Sequence, residues 1–258
     1  MRLIALDTAT AVCAVALLED GRPVVEHSPV LVRTHSQRLM PLIDQALAEA
    51  GWSRAGLDAV AAGEGPGSFT GVRIGLTTGK ALAYALDRPL VTVSTLEAVA
   101  LSALLPESGD GSGVAAEDRP SAGPGDGPRE GDLVCPLLDA RRGEVYTALY
   151  RVVAPAALRQ ETPAVSPVLE EWLGGLPAGA LWFTGDGAAE HRQRLLQEAD
   201  RGRRIAGREN LRALAIALLG EREVAAGRTI SPLEAVPRYV RRPQAEVIWE
   251  QRRSAGTC

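Results

Sequence analysis

Apolar positions along this chain follow two periods that alternate in a regular order. Leu3–Asp7, Asp58–Gly63 and Pro89–Val93 are short apolar runs without alternation, the pattern of strands buried on both faces. Ala11–Leu18 and Arg22–Val32 are extended runs joined by Glu19-Asp20-Gly21, a hairpin turn. Gln37–Ala50 carries Leu39, Ile43, Ala46, Leu47 and Ala50 at helical spacing, with Ser36 as its expected cap and Gly51 as its stop. Pro41 falls at the edge of the first turn, where a missing N–H costs least. Met40 and Leu42 widen the apolar surface beyond one face, which suggests a second packing partner. Helices over Thr70–Leu86 and from Ser94 or Thr95 to Leu105 complete the order β-β-β-α-β-α-β-α.

The densest local signal lies at Gly63–Leu86. Pro66 between Gly65 and Gly67 forces a tight turn, and Ser68 is a good N-cap. Gly71, Gly75, Gly79 and Ala83 follow at steps of four, on one helix face. An interior glycine costs about 1 kcal/mol against alanine. The row therefore predicts close approach of another backbone, read here as a second helix. A strand, a glycine turn and a helix start also outline a phosphate cradle. The spacing departs from both standard phosphate motifs, because Ala81 stands where a P-loop needs Ser or Thr and Pro66 removes an amide. An ordinary strand-to-helix connection fits the pattern better.

From Pro106 to Gly131 the composition changes to Gly, Pro, Ser, Asp and Glu, which cannot bury enough apolar area to offset ordering entropy. It reads as a flexible linker or insertion. Beyond it the pattern restarts: Leu133–Asp139 mirrors the first strand, ending in Asp139 as that strand ends in Asp7. Extended runs at Glu144–Tyr150 and Ala157–Glu161, a short helix at Pro167–Leu173 and a strand at Leu181–Thr184 follow. Gly185-Asp186-Gly187, helices over Ala188–Glu198 and Asn210–Ala226, and an extended Pro232–Val240 complete the second half. Two similar halves predict a duplicated α/β fold. Its parts are an amino-terminal lobe over 1–105, the linker 106–131, a carboxy-terminal lobe over 132–241 and a tail over 242–258.

Composition narrows the function classes. The chain has 258 residues, of which 46% are hydrophobic and 4% aromatic, so its core is built from Ala, Leu and Val. A net charge of −4 argues against nucleic-acid binding through a basic face of its own. Cys13, Cys135 and Cys258 are odd in number and lack a CxxC pair, and the first two sit in apolar runs as small hydrophobes. Met1-Arg2 leads straight into a strand and no apolar run approaches a membrane span, so a cytoplasmic location is expected.

Several side chains are candidates for chemistry. Asp7, Thr8, Asp139, Gly185, Asp186 and Gly187 would form a vestigial nucleotide cleft if the two halves face each other. The simpler reading of Asp7 is a turn residue accepting from the amides of Thr8–Thr10, and turn chemistry alone also selects Gly-Asp-Gly. His35 has no identifiable Ser, Cys or Asp partner, and His27, His35 and His191 share no metal-ligand spacing. Arg73 and Lys80, the single lysine, lie seven apart on one helix face that suits an acidic partner or solvent.

A set of longer motifs is more specific than any of these. They are Ile4-Ala-Leu-Asp-Thr8, His35-Ser-Gln-Arg-Leu-Met-Pro-Leu-Ile43, Gly65-Pro-Gly-Ser-Phe-Thr-Gly-Val-Arg-Ile-Gly75, Val93-Ser-Thr-Leu-Glu97, Leu138-Asp-Ala-Arg-Arg-Gly-Glu-Val-Tyr146 and Pro237-Arg-Tyr-Val-Arg241. On these residues the chain resembles the TsaB family of bacterial tRNA threonylcarbamoyladenosine synthesis. The resemblance implies the two-lobed actin-like fold shared by sugar kinases, Hsp70 and actin. It also implies a non-catalytic subunit that activates a catalytic TsaD subunit, which transfers threonylcarbamoyl to N6 of adenosine 37 in tRNA. Further implied partners are the small ATPase TsaE, a second copy of the chain when alone, and tRNA through the complex. No cofactor of its own is implied, with ATP or ADP at the complex interface.

In that family the first two helices form the subunit contact, which maps to Met40, Leu42, Ile43, Ala46, Arg73, Gly75, Gly79 and Ala83. The metal-binding His-x-x-x-His of TsaD is replaced by Thr95 and Val99, neither of which can ligate iron or zinc. The rival readings are an ATP-dependent kinase or ATPase using Asp7, Asp139 and Asp186, and a metallo-glycopeptidase.

Overall fold

The computed structural model describes residues 1–30, 35–106, 127–206 and 210–241. The first half runs β1 (Arg2–Asp7), β2 (Ala14–Glu19), β3 (Arg22–His27), α1 (His35–Ala50), β4 (Ala59–Gly65), α2 (Phe69–Leu86), β5 (Leu90–Ser94) and α3 (Thr95–Ser102). Its sheet has the order β3-β2-β1-β4-β5, antiparallel from β1 to β2 and parallel from β1 to β4. Asp20 and Gly21 take left-handed φ values of 49° and 77°, the geometry a two-residue hairpin turn needs to match strand twist.

The second half runs β6 (Leu133–Asp139), β7 (Val145–Thr147), β8 (Tyr150–Ala154), β9 (Ala157–Gln160), α4 (Leu169–Gly175), β10 (Leu181–Thr184), α5 (Asp186–Glu190), α6 (Arg192–Leu196), β11 (Arg203–Ile205) and α7 (Ala213–Ala225). Its sheet reads β9-β8-β6-β10-β11, with β7 paired to β6. That is the strand order of the first sheet, so the duplication is present in topology as well as in sequence. The fold is the two-lobed actin-like α/β arrangement.

Space does not follow the division of the chain into halves. Helix α7 packs on β1, β2 and β4 of the first sheet, while α3 packs on β6 and on α7. A Cβ on Gly220 of α7 would lie 2.3 Å from the Cβ of Ala61 in β4, so that helix sits hard against the first sheet. Helix α7, within the expected carboxy-terminal part 132–241, thus packs on the first sheet. The two helices between the sheets join Leu3, Ala5 and Ala61 to Val134, Leu138 and Tyr150 in one buried cluster. Arg212 pins the start of α7, pairing through its guanidinium with Glu26 of β3 and donating to the Pro106 carbonyl at 2.6 Å. The outer face of the first sheet is covered by α1 and α2, and that of the second by α4, α5 and α6.

Other boundaries shift for local reasons. Helix α1 already includes His35, so Ser36 lies in its first turn and Pro41 in its second. Gln37, whose carbonyl loses its partner at Pro41, is exposed, and water can satisfy it. The run Glu144–Tyr150 breaks into β7 and β8, and the helix expected over Ala188–Glu198 divides at His191. Of the expected linker, residues 107–126 lie outside the described residues, as does the tail 242–258.

Candidate functional site

Asp7 closes β1 and is 1% exposed. One carboxylate oxygen accepts from the Ala9 amide at 2.6 Å and the other from the Thr95 hydroxyl at 2.7 Å. Gly63 on the neighbouring strand makes room for it, since a Cβ there would lie 1.8 Å from Oδ2. Burial pushes the Asp7 carboxyl from 3.8 up to about 6, against the two hydrogen bonds that favour its charge. The turn-residue reading describes this geometry. Thr8 is also buried, and its hydroxyl donates to the Gly71 carbonyl at 2.6 Å.

Asp139 and Asp186 meet each other in the second half. Asp186 Oδ1 accepts from the Asp139 amide at 3.2 Å, and Asp139 Oδ1 accepts from the Arg141 amide at 2.7 Å. Burial, with the charge of Asp139 as a smaller cause, holds the Asp186 carboxyl above its ordinary range. Gly185 and Gly187 are required by close approach, because a Cβ on either would come within 3.0 Å of Leu137 backbone. Asp186 borders a narrow cleft with Thr10, Val99 and Leu138. Asp7 stays enclosed under Gly63. Among the described residues, no group of three or more His, Cys, Asp and Glu is placed to hold a metal ion.

The structure revises the reason for the glycine row. A Cβ on Gly71 would lie 2.0 Å from the Thr8 carbonyl oxygen, on Gly75 2.8 Å from Thr8 Oγ1, and on Gly79 2.8 Å from the Cβ of Ala62. The backbone that approaches α2 is the chain's own, in and just after β1 and in β4. Gly75, Gly79 and Ala83 are therefore buried within the lobe, as are Ile43 and Ala46 on α1. These five were expected at a subunit contact and cannot line a surface here. Met40 and Arg73 are exposed, Met40 to 42%, while Leu42 is partly buried against the lobe's core.

The outward face of α2 is formed by Thr70, Thr77, Ala81 and Tyr84, all exposed. A 100° step per residue puts them opposite the glycines, so the same periodicity could have found them. On one side Ile74 packs into the cluster that contains Leu42 of α1. On the other side Arg73 and Lys80 engage the chain's own carboxy-terminal segment rather than an acidic partner. Arg73 Nε donates to the Tyr239 hydroxyl at 2.8 Å, and Lys80 Nζ donates to the Ala235 carbonyl at 2.6 Å.

Comparison with known proteins places this arrangement. A family model described as "TsaD: tRNA N6-adenosine threonylcarbamoyltransferase" matches residues 29–115. The tRNA threonylcarbamoyladenosine biosynthesis protein TsaB of Bacillus subtilis (strain 168) is 31% identical over 253 residues, spanning 96% of this chain and 98% of that protein. The TsaB protein of Escherichia coli (strain K12) is 37% identical over 151 residues, 58% of this chain and 55% of its own length. The solved structure of YeaZ from Pseudomonas aeruginosa superposes with a TM-score of 0.71 at 29% identity, covering 92% of this chain and 99% of that one. With a relative at this identity matched over nearly the whole of both lengths, the chain belongs to the TsaB family.

Proposed function

We propose that this chain serves the biosynthesis of threonylcarbamoyladenosine in tRNA as a docking subunit without chemistry of its own. Its outer α1–α2 face would hold a catalytic TsaD-type subunit in a competent conformation, a differential binding that shifts populations in the partner. The observation that carries this reading is the exposed strip of α2. Thr70, Thr77 and Ala81 are small, Tyr84 is exposed on the same face, and Met40 of α1 is exposed as well. A strip of that shape admits a partner helix at short range and offers apolar side chains to fill its grooves. The same face would serve a second copy of the chain when no catalytic subunit is present.

Transfer of the threonylcarbamoyl group to N6 of adenosine 37 then belongs to the partner, and tRNA is met through the complex. The small ATPase TsaE, ATP or ADP at the complex interface, and a cytoplasmic location complete the proposal. A kinase reading needs Asp7 free to face nucleotide and metal, and both of its oxygens are already engaged. A metallopeptidase reading needs ligands where Thr95 and Val99 stand.

The test is co-purification of a TsaD-type subunit with Ala81→Arg and with Met40→Asp, alongside mass spectrometry of the modified nucleoside in tRNA. Both substitutions sit on exposed positions and leave the isolated fold intact. Loss of complex and of modified adenosine is expected for each. A complex that survives both places the docking face elsewhere.

A further inference from the structure

The segment Ile230–Arg241 crosses the amino-terminal lobe and reaches the other one. It begins with an antiparallel bridge, Ile230 N–H to the Leu90 carbonyl at 2.8 Å. Lys80 then takes the Ala235 carbonyl, and the Arg238 amide donates to the Glu64 carbonyl at 2.8 Å. Tyr239 stacks on Phe69 with ring centroids 5.2 Å apart, and Arg73 lies 3.7 Å over the Phe69 ring. Two residues later Arg241 pairs at 3.0 Å with Glu144, which belongs to the hairpin between β6 and β7.

That hairpin is built to present Glu144. Arg141 and Arg142 both take left-handed φ values, 66° and 59°, uncommon for residues with a Cβ. The turn is held by Ala140 N–H to the Glu144 carbonyl at 3.0 Å, Glu144 N–H to the Arg141 carbonyl at 3.1 Å, and the Asp139 carboxylate on the Arg141 amide. A costly backbone geometry thus persists where the carboxy-terminal segment lands.

We propose that Ile230–Arg241 is a clasp between the lobes. Lys80, Arg73 and Phe69 anchor it on α2, and Arg241 with Glu144 is its latch. The anchor combines a charged hydrogen bond with a ring stack and a guanidinium over an aromatic face. The latch is a half-exposed ion pair, weak enough to open without unfolding either lobe. Arg241 follows Tyr239 by only two positions, so loosening the anchor lowers the local concentration of the latch arginine at Glu144. The clasp couples the α2 surface to the β6–β7 hairpin across the space between the lobes.

Hydrogen exchange on the isolated full-length chain tests this without any partner, so its outcome is separate from that of the docking proposal. Tyr239→Ala touches only the amino-terminal lobe, yet it should raise exchange in the β6–β7 hairpin about two- to fivefold, the range of an exposed ion pair. Glu144→Arg should raise exchange in residues 236–241 by a similar factor. The reciprocal pair Glu144→Arg with Arg241→Glu should restore protection in both segments. Protection of α1 and the melting temperature should stay unchanged throughout. Hairpin exchange that ignores Tyr239→Ala, or a reciprocal pair that restores nothing, overturns the clasp.

Discussion

Replacing Asp7 by asparagine should stabilise the protein at neutral pH, and the gain should grow as the pH rises. In the folded chain the carboxyl is pushed up to about 6 from 3.8, with burial as the largest cause. Between those values the folded state binds more protons than the unfolded state. Stability from this group is therefore fully present below 3.8 and is lost as pH rises through 6. Integrated, the loss is about 3 kcal/mol at pH 7. Asparagine has nearly the same shape and never charges. Its carbonyl oxygen can accept from Ala9 N–H, and its amide can donate to Thr95 Oγ1. Hydrogen bonds to a neutral group are weaker than those to a carboxylate, which trims the net gain at pH 7 to about 1–2 kcal/mol.

The measurement is urea unfolding of the parent and of Asp7→Asn at a series of pH values from 4 to 8. Subtracting the two curves removes every other titrating group. Helices α3 and α7 join both sheets in one cluster, so a single cooperative transition is expected. The variant's advantage should increase by about 2 kcal/mol across the series. A flat difference would mean that Asp7 titrates normally and is not enclosed. A difference that shrinks with pH would mean its carboxyl is held low by a cation, as a working nucleotide site requires, and would revive the kinase reading.

Arg212→Ala leaves Glu26 about one-tenth exposed and without its guanidinium, which should cost about 3–5 kcal/mol, measured as a lowered urea midpoint. Adding Glu26→Gln should recover part of that loss, since the orphaned charge is then gone. Gly79→Ala places a Cβ 2.8 Å from that of Ala62, where contact favours about 3.5–4.0 Å, so α2 must lift by about 1 Å. Affinity for the TsaD-type subunit should fall severalfold by calorimetry, although no partner atom can reach residue 79. Unchanged affinity beside a lowered melting temperature would separate the depth of α2 from docking.

Elements with a local cause were legible in the sequence. Strand β1, the turn at Asp20-Gly21, the Ser68 cap and the start of β10 are each announced by an apolar run meeting a residue of special geometry. Ser68 does accept from the Gly71 amide, at 3.3 Å. Features with a distant cause were not legible. The apolar stripe of α7 shows that it covers a sheet, but not that the sheet belongs to the other half. Lys80 finds its acceptor 155 residues away, at a backbone carbonyl that carries no side-chain signal. At the candidate site the glycine row revealed a close backbone without revealing whose. A helix partner and a strand partner impose the same absence of a Cβ.

That ambiguity has a physical resolution in the two faces of α2. Glycines on its inner side bring its axis down onto β1 and β4, and Thr8 bonds across the gap to Gly71. A helix seated that deep leaves its outer ridge low between α1 and the carboxy-terminal segment. Thr70, Thr77 and Ala81 on that ridge are small and exposed. On the docking proposal, the inner glycines would shape that surface without lying on it. A bulky substitution at Gly75 would drive α2 off Thr8 and disturb the fold. Ala81, one helical face away and open to solvent, is the position where the two effects come apart.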